Sequence, residues 1–183
     1  MNLTGQIIVS MPSLEDERFY KTVIYICAHS SEGSMGIIIN KKIDYDLYPD
    51  LLQQLDIDKP LNNKKLFIRY GGPVESGRGF VLHSDDRVIK ETLNIHKGVA
   101  LTSTAEFFDD LSKGKGPKNS ILALGYAGWQ PGQLEYEMMQ NSWMSLSVDS
   151  SFLFDDEVSR KWSQAYKLMG IDPNSLSFQS GRA

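Results

Sequence analysis

The sequence predicts a single α+β domain, and three observations carry that expectation. Short β-branched runs come in hairpin-sized pairs as well as beside helical patterns, without the regular alternation of a βαβ chain. The 183 residues suit one domain with a substantial core. No repeat, low-complexity tract or interior linker divides the chain. One domain is therefore expected over 1–183, with 172–183 a loosely held, polar tail.

Gly5 to Ser10 (GQIIVS) reads as the first strand, ended by Met11-Pro12. Thr22 to His29 (TVIYICAH) is the clearest strand, and its nearly unbroken apolar run predicts cover on both faces. Ser30 to Met35 is expected as a turn of several residues, with Gly36 to Asn40 returning as the partner strand. Leu47 to Leu55 has leucines at helical spacing and Asp46 as a cap. Leu66 to Tyr70 and Arg78 to His83 are expected to pair as strands across Gly71-Gly72-Pro73-Val74. Thr92–Ile95 and Val99–Leu101 are two further short strands. Ser103-Thr104-Ala105-Glu106 reads as a capping box before Phe107, Phe108 and Leu111, with Gly114 as the stop.

Ile121 to Trp143 is the stretch richest in signals. Ile121–Leu124 is a buried strand by its apolar run, and Gly125-Tyr126-Ala127-Gly128-Trp129 reads as a turn with two glycines and two aromatics. Pro131 suits a first helical position, and Gln133–Met139 is a short helix. Met144, Leu146 and Val148 alternate with polar residues as a half-buried strand. Asp156–Met169 is the last helix, closed by Gly170.

Composition excludes several classes of function. The net charge of −4, without a lysine and arginine stripe interleaved with aromatics, argues against direct nucleic-acid binding. No run approaches the roughly 20 apolar residues of a spanning helix, and the N-terminal MNLTGQIIVSMPSLEDE lacks the basic start of a signal peptide. The one cysteine, Cys27, rules out an internal disulfide and fits a reducing compartment, so the expected location is cytoplasmic.

The residues that carry chemistry are few. Cys27 and His29 share a strand face, which admits a thiol beside a base or a redox-sensitive cysteine; a buried small hydrophobe is the plainer reading. The three histidines lack metal-ligand spacings and there is no CxxC, so no metal is expected and no cofactor is implied. The Gly71–Gly77 turn suits an anion cradle or a tight hairpin equally. His83, at the end of its strand, is the histidine to watch. Glu135 and Glu137 sit two apart on the short helix and point to different faces.

Assembled in order, these segments resemble the AlgH/YqgE family of bacterial proteins over nearly the full chain. The match rests on Leu3-Thr4-Gly5, Met11-Pro12, Val23–His29, Gly33-Ser34-Met35-Gly36 with Asn40, Gly71-Gly72-Pro73-Val74 and Phe80-Val81-Leu82-His83. Gly125–Trp129, Gly132-Gln133-Leu134-Glu135, Glu137, Asn141, Trp143, Leu153-Phe154, Gly181 and Ala183 complete it. Ser10 and Lys41-Lys42 depart from the usual family pattern without touching the glycine motifs. The resemblance implies a coiled, bifurcated, largely antiparallel sheet forming a pseudo-barrel, with peripheral helices. It implies no defined activity; some members carry the label of transcriptional regulator, which the acidic balance here makes an indirect role.

The expected site is a cleft where the two glycine turns meet, formed by Gly71, Gly72, Pro73, Val74, His83, Gly125, Tyr126, Gly128, Trp129, Gln133 and Glu137. It would serve a binding or regulatory protein whose partner is an unknown small molecule or another protein. The alternative is an enzyme using His83 or Glu137 as acid or base in the same cleft.

Overall fold

Strand pairing organises the chain, and all nine strands of the described residues join one sheet. The structure, a computed structural model, describes residues 2–43 and 68–176. The helix expected over Leu47–Leu55 and the end of the tail lie outside the described residues. The strands are β1 (Ile7–Ser10), β2 (Val23–Ser30), β3 (Gly33–Ile38), β4 (Ile68–Tyr70), β5 (Val74–Ser84), β6 (Leu93–His96), β7 (Val99–Thr102), β8 (Ser120–Trp129) and β9 (Trp143–Leu146). The helices are α1 (Ala105–Ser112), α2 (Gln133–Met139), α3 (Ser150–Phe154) and α4 (Lys161–Leu168). The strand order is β6-β7-β5-β8-β3-β2-β1-β9, with β4 beside β8. Every pair is antiparallel except β4 with β8. This is the α+β architecture, with a sheet that does not close.

Alternation along each strand sorts side chains onto two faces. Ile7, Val9, Val23, Tyr25, Cys27, Ile37, Phe80, Leu82, Val99, Leu101, Ile121 and Ala123 share one core with Leu153 and with Trp162, Ala165 and Tyr166 of α4. Six strands contribute to that single cluster, so the sheet curls around it. Ile8, Ile24, Ile26, Ile38, Ala127 and Trp129 face the other way, covered by Leu134 of α2. Val81, Leu122 and Leu124 lie beneath Phe107 in α1. Helix α4 is pinned at its buried side: Trp162 Nε1 and Tyr166 Oη both donate to the Ser10 carbonyl, at 2.9 and 3.2 Å.

Several expectations are corrected. The turn at Ser30–Met35 shrinks to Ser31-Glu32, because β3 begins at Gly33 and pairs back to Ser30. Ile68–Tyr70, the described part of the expected strand Leu66–Tyr70, does not pair with Arg78–His83; β8 stands between β4 and β5. Gly125–Trp129 is not a turn but the second half of β8. The cap of α1 is Thr104, whose hydroxyl accepts from Phe107 N–H, one residue after the expected start of the capping box. The last helix begins as a 3-10 turn (Val158–Arg160) before α4, and α3 was not anticipated. Of the expected tail, Pro173–Ser175 form a 3-10 turn capped by Asp172, and Leu176 packs on the main core.

Candidate functional site

Strand β8 carries the structure's branch point. Its long edge pairs with β5 from Val74↔Tyr126 to His83↔Ser120. Its other edge is divided between β4, at Leu122–Leu124, and β3, at Ala127–Trp129. The chain must therefore pass from one side of β8 to the other between Tyr70 and Val74, and it does so directly over Gly125. A Cβ on Gly71 would lie 2.3 Å from the Gly125 carbonyl oxygen, and one on Gly72 2.1 Å from the Tyr126 carbonyl carbon. A Cβ on Gly125, at φ +70°, would lie 2.3 Å from the Gly72 oxygen. Three glycines let two backbones cross in contact. Gly71 also donates to the Leu124 carbonyl at 2.7 Å and accepts from Ile38 N–H at 2.9 Å.

The two glycine segments thus meet as expected, but backbone fills the space between them. Pro73 is half-buried, and Val74 is exposed beside them. Tyr126 packs edge-on against Phe80, with ring centroids 5.6 Å apart. Gly128 lies on the exposed side of β8, paired with Met35.

His83 is elsewhere. It pairs with Ser120, five residues from Gly125, or roughly 17 Å along an extended strand. The ring is fully buried beside Phe107, at 4.5 Å between centroids. Nδ1–H donates to the Ser84 carbonyl at 2.8 Å, so the neutral ring presents its Nε2 lone pair to the Thr102 hydroxyl at 2.9 Å. Thr102 in turn accepts from Thr92 at 2.8 Å, and Thr92 accepts from Ile89 N–H at 3.0 Å. Burial pushes the imidazole below its ordinary pKa.

Trp129, Gln133 and Glu137 form a third, separate group at the far end of β8. One Glu137 oxygen accepts from the indoles of Trp129 and Trp143 at 2.9 and 2.8 Å, and the other accepts from Gln133 at 2.8 Å. Gln133 returns an oxygen to Gln130 N–H at 2.9 Å. The carboxylate is a clamp that holds α2 to β8 and β9. Its neighbour Glu135 turns to His29, whose Nε2 lies 2.7 Å away. Leu3 N–H donates to His29 Nδ1 at 3.1 Å, so Nε2 carries the proton that reaches Glu135. That bond holds the Glu135 carboxyl below the usual range. Cys27 is 2% exposed, and burial pushes its thiol up to about 12. This is the environment of an inert core cysteine.

Two buried cations occupy another junction. Arg69 reaches from β4 to the Ile39 carbonyl at 2.5 Å and lies 4.0 Å from Asp156. Lys161 of α4 donates to the Phe152 carbonyl and to Asp155 at 3.0 Å. Burial lowers the pKa of both. Lys161 ties the Asp155 corner to α4, while Arg69 faces Asp156 from the sheet with its Nε left unpaired. Among the described residues no group of histidine, cysteine and carboxylates gathers to hold a metal.

An open cleft lies where the sheet fails to close. β6 and β9 stand at opposite ends of the strand order, yet His96 touches Gly5, just before β1: a Cβ on Gly5 would lie 2.5 Å from His96 Cβ. Curling has brought the two edges together. Between them is a cleft of about 470 Å³, lined by Tyr25, His96, Lys97, Ser147, Asp149 and Ser151 among others. That volume falls in the range of about 300–1,000 Å³ usual for ligand sites. Tyr25 is 2% exposed, and its hydroxyl has no hydrogen-bond partner among the described residues. It is also absent from the fully enclosed unpaired polar atoms, Arg69 Nε, Arg87 Nε and Gln164 Oε1, so it meets solvent at the cleft it lines.

Comparison with known proteins places this geometry. An AlgH-like family model matches residues 7–174. The chain belongs to the AlgH-like family. It is 48% identical to a UPF0301 protein of Rhodopseudomonas palustris, covering 99% of this chain and 89% of that one. A UPF0301 protein of Nitrobacter hamburgensis is 49% identical, at 99% and 88% coverage. The solution structure of AlgH from Pseudomonas aeruginosa superposes with a TM-score of 0.79 at 34% identity, covering 100% of this chain and 97% of that one. A crystal structure from Corynebacterium diphtheriae shares the fold, with a TM-score of 0.71 at 19% identity, at 91% and 86% coverage.

Within this AlgH-like fold the residues predicted as one site divide into three places along β8. Sequence reasoning passed over Tyr25, Lys97 and Asp149. Tyr25 sits in a run read correctly as a buried strand, where a tyrosine looks like core. Lys97 could be found only as the lysine of a Lys-Gly turn between two short strands, and Asp149 as the acid before a serine pair.

Proposed function

We propose that this AlgH-like protein is a binding protein with a regulatory role, not an enzyme, and that its site is the cleft along the seam of the sheet. The observation that supports this reading is where the unpaired polar groups are. His83 and Glu137, the candidate acid and base, have their ring nitrogens and carboxylate oxygens occupied by protein partners. The Tyr25 hydroxyl at the seam has none among the described residues. A hydroxyl in a cleft wall that has no protein partner and meets solvent can both donate to and accept from a ligand. A regulatory role would then run through a bound small molecule, since the net charge of −4 disfavours direct contact with nucleic acid.

The test is a thermal-shift screen of the purified protein against nucleotides, phosphorylated metabolites, amino acids and short peptides. A ligand at 100 times its Kd adds about 2.7 kcal/mol, a rise of roughly 5–10 °C for a chain of this size. The expected hit is lost in Tyr25→Phe, which keeps the ring and removes the hydroxyl. A hit unchanged in Tyr25→Phe would move the site elsewhere, and conversion of the ligand during incubation would overturn the non-catalytic reading.

A further inference from the structure

Resting on that reading, we infer that the seam cleft takes a small zwitterion, a molecule carrying both a carboxylate and an ammonium group, as free amino acids do. The cleft presents one cation and one anion from opposite banks: Lys97 from the β6–β7 turn, Asp149 from the segment after β9. Neither is in an ion pair among the described residues, and they are not paired with each other. Asp149 precedes α3, yet its side chain makes no cap hydrogen bond there. A lone anion in this space would approach Asp149 unfavourably, and a lone cation would approach Lys97. A zwitterion laid across the seam meets an opposite charge at each end. Tyr25 supplies a neutral donor and acceptor in the wall, and burial raises its phenol well above the ordinary range, so it stays protonated.

Lys97 sits in a tight turn. Lys97 (φ +42°) and Gly98 (φ +80°) form the two-residue connection between β6 and β7, and both lie in the left-handed region. That turn favours Asn-Gly, and a lysine is a poor choice for its first position. His96, packed on Gly5, anchors the hairpin against the N-terminal segment. A residue ill-suited to its turn but well placed on the cleft rim separates function from folding: Lys97→Asn removes the cation and improves the turn.

The experiment is calorimetric titration of the full chain with glycine, L-serine, L-glutamine and L-leucine. The N-acetyl amino acids and the amino-acid amides, each bearing one charge, are the controls. The expected result is binding of at least one parent amino acid, with both of its single-charge forms at least tenfold weaker. Lys97→Asn and Asp149→Asn should each weaken that binding at least tenfold, while Lys97→Asn without ligand melts no lower than the wild type. An N-acetyl form that binds as tightly as its parent would overturn the zwitterion in favour of an anion site. If no amino acid binds but another class gives a Tyr25-dependent shift, the zwitterion is wrong and the seam still binds. If nothing in either set binds, both readings fall.

Discussion

With Nδ1 committed to the Ser84 carbonyl, His83 can take up a second proton only at Nε2, where Thr102 now donates. Protonation would force Thr102 to turn its hydroxyl hydrogen toward Thr92, whose own hydrogen then loses its acceptor. Burial, the main cause of the lowered pKa, and this directed chain both favour the neutral ring. The unfolded chain therefore binds the proton first, near an ordinary pKa of about 6.5. The contribution of His83 is complete above that pH and is lost as pH falls towards its folded-state pKa, at up to about 1.4 kcal/mol per pH unit. The depressed carboxyls of Asp16, Asp86 and Glu135 act in a lower window, because their contributions are lost only as pH falls below about 4. Urea midpoints measured from pH 7.5 to 5 should fall for the wild type and fall less for His83→Gln; parallel curves would refute the assignment. Cys27 gives a second single-residue test. A thiol raised to about 12 and 2% exposed should resist iodoacetamide at neutral pH until the protein is unfolded. Rapid alkylation of the native protein would restore a redox role.

β8 shows how far local pattern reaches and where it stops. The apolar run Ile121–Leu124 announced its first half, but two glycines among aromatics looked like a turn, because local chemistry cannot show what crosses above a strand. The first of them, Gly125, is needed by the Tyr70-to-Val74 connection, which is close in space and some fifty residues away in sequence. The same blindness made β4 and β5 look like a hairpin. A β-branched, unbroken apolar run, by contrast, revealed β2 and its cover on both faces, and alternation revealed β9. The crossing makes a direct prediction. Gly72→Ala and Gly125→Ala each drive a Cβ into backbone that cannot move aside, at an expected cost of about 3 kcal/mol or more. Gly132→Ala, also at positive φ (+73°) but with nothing within 4 Å, should cost only about 1 kcal/mol. Equal losses in urea denaturation would mean that backbone conformation, not the crossing, sets the requirement. Helix α2 offers a parallel case. Its Glu135 and Glu137 do diverge, as spacing foretold, but no local signal showed that Glu137 would meet two indoles. Glu137→Ala orphans both N–H donors and should cost about 2–4 kcal/mol, with a change in tryptophan emission of the folded protein.

The whole molecule is a sheet that curls far enough to bring its edges together without joining them. Stability should follow that layout. β8 is paired on both edges by three strands, and β3 and β2 are each paired on both sides, around a core that also contains Trp162 and Tyr166. β6 is a four-residue edge strand with Leu93 half exposed, and its ladder to β7 is interrupted between Asn94 and His96. Local opening is easiest where few buried contacts and many exposed backbone bonds coincide. Amide hydrogen exchange should therefore find the slowest protons in β8, β2 and β3, exchanging only with global unfolding, and much faster ones in β6 and β9. The two edges that open most readily also form the cleft, so a ligand spanning the seam would protect β6 and the segment after β9 while leaving β8 unchanged. Uniform protection across all nine strands would mean that the seam is no weaker than the rest of the sheet, and that binding there has no local opening to suppress.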